Sequence, residues 1–180
     1  MSLLQVLLVI LSALLYFSFF WLNEWLFGMT ALHDGANWVF LPAGLRLLCT
    51  LLFAGEGAIG VLLASLLIVY IRGGEMDPLT QFGAAFISAG APYLAYRAAL
   101  KLGLSSSLER LSAGGLGILA LIYALASSFL HSFWFAARGF FTDFAHGWSV
   151  MFIGDLIGTL ILAYLMKMAL AVLRRTRPTS

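Results

Sequence analysis

The chain has 180 residues, 62% hydrophobic and only 10% charged, with a mean hydropathy of +1.00 and a formal net charge of +2. A water-soluble domain carries roughly 25% charged residues, so this composition excludes one and defines an integral membrane protein. No continuous basic face with interleaved aromatics occurs, which leaves nucleic-acid binding without support.

Crossing a hydrocarbon core about 30 Å thick takes about 20 helical residues. Windows near 3–22, 39–54, 57–71, 83–100, 114–136 and 147–172 supply the necessary apolarity. The expectation is an all-α polytopic bundle of about six transmembrane helices, a single domain over 1–173 followed by a short basic tail at 174–180. A β-barrel is disfavoured, because its strands alternate apolar and polar while these runs are continuously apolar. The first window has a longer apolar run than a secretory signal, with no preceding Lys or Arg and no small-residue cleavage site, so it is expected to be retained. The second and third windows are joined only by "AGEG", which calls for a tight helical hairpin. Cys49 is the only cysteine, so no intramolecular disulfide can form.

Lys and Arg collect at cytoplasmic helix ends. With six crossings one side holds Arg97, Lys101, Arg110, Lys167, Arg174, Arg175 and Arg177, and the other holds Arg72 and Arg138. Both termini are therefore expected to be cytoplasmic, in a bacterial inner membrane, with the loops near 23–38, 72–82 and 137–146 facing outward. The tail reads as an anchor at an anionic lipid surface or, alternatively, a docking site for a partner.

Several residues oppose insertion, and helical rise assigns each a depth. Arg46 lies about eight residues inward from Trp38, and Asp155 about eight inward from Gly147, so at 1.5 Å per residue both reach the same level. An isolated charge there costs about 2.5–3.5 kcal/mol even on gentle scales, which predicts that Arg46 and Asp155 face the interior as a pair. Two roles stay open for the pair: a structural clamp, or a site for a ligand or proton. Pro42 falls in the first turn of its helix, where a missing N–H costs little, and Gly44 permits close approach of another backbone. Glu56 is expected at the hairpin, satisfied by water or Arg97. Pro92, beside Gly90, should bend the fourth helix toward the interior and free a carbonyl. Small residues in "GEGAIG", "GGLGILA" and "GDLIGT" mark close helix packing. His33, His131 and His146 gather toward one side, beside Asp34 and Asp143. They form either an interfacial belt with the tryptophans or, less favoured, an outer metal or haem site. No nucleophile elbow, phosphate loop or metalloprotease helix is present, so the chain does not read as an enzyme.

The runs "FLPAGLRLLCTLLFAGEGAIGVLLASLL" and "WSVMFIGDLIGTLILAYLMK" together resemble the MASE-type membrane-associated sensor domain in its originally described form. The positions carrying the likeness are Phe40, Pro42, Gly44, Gly55, Gly60, Gly154, Asp155 and Gly158, and "SSSLERL" and "FWFAARGFFTDFAHGW" are similar as well. Tyr164 stands where that family usually has a proline, and no output domain is expected after Ser180. The resemblance implies a stand-alone sensor-like module that binds a small molecule or a partner membrane protein and signals through another polypeptide. Alternatives from the residues themselves are a small substrate-binding or transport component, with Arg46, Asp155 and the Pro92 bend around a mid-membrane site, and an accessory subunit of a larger membrane complex.

Overall fold

The computed structural model describes residues 1–33, 36–72, 76–101, 103, 112–140 and 143–175, the side chains of 30–36 and 173–175 excepted. Asp34, Arg110, the "SSSLERL" stretch and most of the basic tail lie outside the described residues, as do the side chains of His33, Arg174 and Arg175. Helix α1 spans Leu3–Phe27 and is followed by a 3-10 turn (Gly28–Thr30) and a short antiparallel ribbon, β1 (Ala31–His33) with β2 (Ala36–Asn37). Four further helices follow among the described residues: α2 (Leu41–Arg72), α3 (Pro78–Lys101), α4 (Ala113–Ala137) and α5 (Phe144–Arg175). The starts are capped by side chains. Ser2 and Gln5 form a reciprocal capping box on α1, Asp77 accepts from the Leu79 and Thr80 amides of α3 ahead of Pro78, and Ser112 accepts from the Gly115 amide of α4.

Among the described residues four helices, α1, α2, α4 and most of α5, are long and apolar enough to cross a membrane. That corrects the expectation of six such elements. The fourth window lies in α3, whose Gly, Ala, Ser and Tyr content keeps it below that apolarity, and the second and third windows belong to the one helical run of α2. The run is broken at Ala54, where φ is 49° and ψ −120°. Residues eight apart in a straight helix are separated by about 12 Å, yet a Cβ at Gly57 would fall onto the carbonyl of Cys49. The chain doubles back there. Leu41 and Arg46 bond to Asn23 and Tyr16, so the first limb, 41–53, runs antiparallel to α1. Glu56 bonds to Gln5, Gly60 abuts Val9 and Ser12, and Arg72 pairs with Glu24, so the second limb, 55–72, runs parallel to α1.

Glycines set the closest contacts of the bundle. A Cβ at Gly154 would strike the Asn37 carbonyl, one at Gly158 the Phe40 carbonyl, and one at Gly44 the Gly158 carbonyl. The lead-in to α2 is thereby pressed against α5, where the Phe40 amide donates to the Gly154 carbonyl over 3.1 Å. Pro42, in the first turn of α2, is fully buried in the same contact region. The α3–α4 contact is made by Trp134, whose indole N–H donates to the Thr80 carbonyl (2.9 Å) and whose ring occupies the space a Cβ at Gly83 would need.

Burial is distributed as in a lipid-embedded protein. On α4 the residues Leu116, Ala120, Tyr123, Ser127 and His131 follow helical spacing and are buried, while Ile118, Leu121, Leu125, Phe129 and Phe133 are exposed. Buried Ser12, Asn23, Arg46, Thr50, Ser88 and Asp155 join the interior. Polar groups inside and large apolar groups outside is the arrangement that lipid rather than water stabilises.

Candidate functional site

The first limb of α2 is buried almost end to end, from Leu41 to Leu51. Its start is held by Asn23 of α1, whose Oδ1 accepts from the Leu41 amide over 2.9 Å, an orphan donor that a helix of its own sequence could not satisfy. This clamp fixes the rotation of the limb. One turn further on, Arg46 is directed into a cavity of ≈ 150 Å³ bounded by α1, α2, α3, α4 and α5.

Arg46 is 6% exposed and Asp155 is 3% exposed, and both line that cavity. They do not form a contact ion pair: among the described residues the salt bridges are Arg72–Glu24 and Arg138–Asp77. The Nε of Arg46 instead donates to the Tyr16 hydroxyl over 2.9 Å. Its guanidinium carbon stands 5.0 Å from the Phe40 ring centroid and 5.4 Å from that of Tyr16, so two aromatic faces supply part of the stabilisation that solvent would give a cation. The terminal guanidinium nitrogens make no hydrogen bond to the described residues. The Oδ2 of Asp155 is fully buried and has no hydrogen-bond partner. The expected contact between Arg46 and Asp155 is thus replaced by two charges facing one space, each with unused bonding capacity.

His131 forms another wall of the cavity. Its Nδ1 lies 2.9 Å from the Ser127 carbonyl and its Nε2 3.2 Å from the Ser88 hydroxyl. A carbonyl only accepts, so Nδ1 carries a proton, and in the neutral ring Nε2 accepts from Ser88. The expected histidine cluster does not assemble around this residue: His146 is exposed in the first turn of α5, where its amide donates to Asp143, and the side chain of His33 is outside the described residues. Among the described residues no trio of His, Cys, Asp or Glu is close enough to hold a metal.

The remaining anticipated residues flank the site without entering it. Gly154 and Gly158 bracket Asp155 and bring α5 against the start of α2. Pro92 is buried within α3 but does not line the cavity, and a Cβ at neighbouring Gly90 would meet nothing. Glu56 accepts from Gln5 Nε2 over 2.7 Å, in place of the anticipated Arg97, which reaches Tyr93 instead. Tyr16, Asn23, Ser88 and Phe40 were absent from the expected site. For the first three the signal was present as polar residues within apolar helical runs: Ser12, Tyr16 and Asn23 share the buried stripe of α1. A second depression, between Ala54 and the last turns of α3, is open and lined by no buried polar side chain.

The fold and the cavity define a multi-pass membrane protein with a charged, partly unsatisfied chamber at its centre. The chain matches no protein-family model, no curated protein and no solved structure, so its function is argued from this geometry.

Proposed function

We propose that the protein is a sensor-like membrane module of the MASE type, which binds a small molecule in the central cavity and transmits occupancy to a partner protein. In this reading the chain crosses the bacterial inner membrane six times with both termini cytoplasmic, α2 contributing two crossings and α3 one. The Lys and Arg distribution supports that orientation, and the reversal at Ala54 supports dividing α2. The observation that carries the reading is the convergence of the buried side chains of Arg46 and Asp155 on one cavity without bonding each other. Buried charges are ordinarily paired and fully hydrogen-bonded, so open capacity on both sides of a cavity marks a place for a guest. Coupling to a partner follows from what the guest would touch: all five helices border the chamber, so filling it alters their mutual packing.

Native mass spectrometry of the full chain in mild detergent tests this. A small molecule should accompany the parent protein and be lost from Ala85→Phe, which fills the chamber from α3 while retaining every charge. Absence of any bound molecule, together with no shift in unfolding temperature across a metabolite panel, would overturn the proposal. A transport role is the second reading, favoured by a cavity lining that runs from Arg46 to Arg72 and Gln81 at one end of the bundle. Uptake of the bound molecule into proteoliposomes would distinguish it.

A further inference from the structure

We infer that the ligand of this chamber is a small zwitterion, with an anionic group taken by Arg46 and a cationic donor taken by Asp155. The inference rests on the small-molecule reading above and names the class of molecule.

Three observations lead to it. The first is the pattern of unmet bonding: the terminal nitrogens of Arg46 offer donors without acceptors, and Oδ2 of Asp155 offers an acceptor without a donor. An anion alone would satisfy Arg46 and meet repulsion from Asp155. A cation alone would do the reverse. A guest carrying both charges satisfies both walls and adds no net charge to a region where net charge is expensive. The second is the set of groups already committed. Tyr16 holds Nε of Arg46, so the guanidinium presents its outer edge, the geometry suited to a carboxylate. His131 is engaged on both ring nitrogens, by Ser88 and by the Ser127 carbonyl, and so shapes the wall rather than supplying another charge. The third is size and lining. A cavity of ≈ 150 Å³ is comparable to one that accepts benzene, which sets a guest of roughly six to eight heavy atoms. Ile68, Ala84, Ala85, Phe135 and Met151 provide an apolar surround for a short hydrocarbon side chain. An α-amino acid between alanine and valine in size meets all three requirements.

The competing account is a set of waters bridging Arg46 to Asp155, with no organic guest. The experiment uses the full chain in lipid nanodiscs and measures direct binding and unfolding temperature with three probes that share an isopropyl group: L-valine, isobutyrate and isobutylamine. L-Valine should bind saturably and raise the unfolding temperature, while isobutyrate and isobutylamine each bind at least tenfold more weakly. Asp155→Asn, which keeps the side-chain volume, and Arg46→Gln, which removes the guanidinium while keeping a polar amide, should each abolish L-valine binding. Ala85→Phe should abolish it with both charges in place, and the helical circular dichroism of all three variants serves as the check on folding. Equal or tighter binding of isobutyrate or isobutylamine alone would overturn the zwitterion assignment and leave the small-molecule reading standing. A different molecule, singly charged or uncharged, retained by the native protein would do the same. No binding of any probe, no co-purifying molecule and an unfolding temperature insensitive to all of them would overturn both.

Discussion

At the scale of single residues, the energetics of the chamber turn on charges that are buried without touching. Removing one partner of a buried charged set costs about 3–5 kcal/mol, because the other is left uncompensated. Arg46→Ala and Asp155→Ala should each destabilise the protein by that order, and the double variant should recover part of the sum. Chemical denaturation of the four proteins in one detergent measures this. Strictly additive losses would mean that the two charges do not sense each other across the cavity. Tyr16 tests the other side of Arg46. Tyr16→Phe keeps the ring that faces the guanidinium and deletes the hydroxyl accepting from Nε, so a loss of about 1–3 kcal/mol is expected from the unmet charged donor. The same measurement on Phe40→Leu reports the aromatic face separately.

At the scale of the element, the strained position is the elbow of α2. Ala54 adopts φ 49° and ψ −120°, a region that glycine reaches without steric conflict and alanine does not. Ala54→Gly should therefore raise the unfolding free energy by about 1 kcal/mol, and Ala54→Val should lower it. Parallel thermal melts decide the sign. If glycine destabilised and valine did not, the reversal at this residue would be ruled out. Gly57 is the complement: its missing Cβ admits the Cys49 carbonyl, so Gly57→Val should separate the two limbs. The same logic governs the crossing of α5 with the start of α2, where Gly158→Leu is expected to cost about 1–3 kcal/mol or more through forced displacement of the Phe40 backbone. At the α3–α4 end, Asp77 bonds to the Thr80 hydroxyl and receives Arg138 over 3.0 Å. Thr80 first, then Arg138, holds its carboxyl below the ordinary carboxylate range. A depressed value stabilises the folded state above the unfolded pKa of about 3.9 and loses that effect as pH falls through the folded value. Acid should thus release this end of α3 before the chamber opens. Hydrogen exchange at Leu79–Gln81 compared with Leu116–Tyr123 follows that order, and Asp77→Asn should remove the acid dependence.

At the scale of the whole molecule, the exterior exposes many large apolar side chains while the mainly apolar interior takes in Arg46, Asp155 and several other polar groups, an arrangement suited to a bilayer as solvent. Among the described residues α1, α4 and most of α5 satisfy the length and apolarity of a crossing as single helices, whereas α2 does so only as a run that doubles back at Ala54. α3 and the two limbs of α2 are shorter or more polar, and they depend on neighbours for their place in the bundle. Reporter fusions ending at Lys101, Arg138 and Arg175 test the proposed orientation, which expects cytoplasmic, external and cytoplasmic signals in that order. An external signal after Arg175 would remove the six-crossing plan. The chamber would survive that result, because its walls are defined by helix contacts and not by which face of the membrane each end meets.

Composition and local periodicity were sufficient to establish an all-α chain with helices long and apolar enough to cross a membrane, and to place Arg46 and Asp155 within such helices. These depend on transfer of apolar residues from water and on a constant helical rise, both of which act residue by residue. The spacing of Gly154 and Gly158, and the position of Pro42 in a first turn, were legible for the same reason. The partners were not. Arg46 bonds to Tyr16 and not to Asp155, Asn23 caps Leu41, Glu56 finds Gln5, and His131 finds Ser88. Depth along a helix follows from counting residues, whereas the direction of a side chain turns by about 100° with each one. Which faces meet is therefore decided only when all the helices pack together, and it was that packing, with glycines drawing α5 onto α2, that left two opposite charges facing a shared cavity.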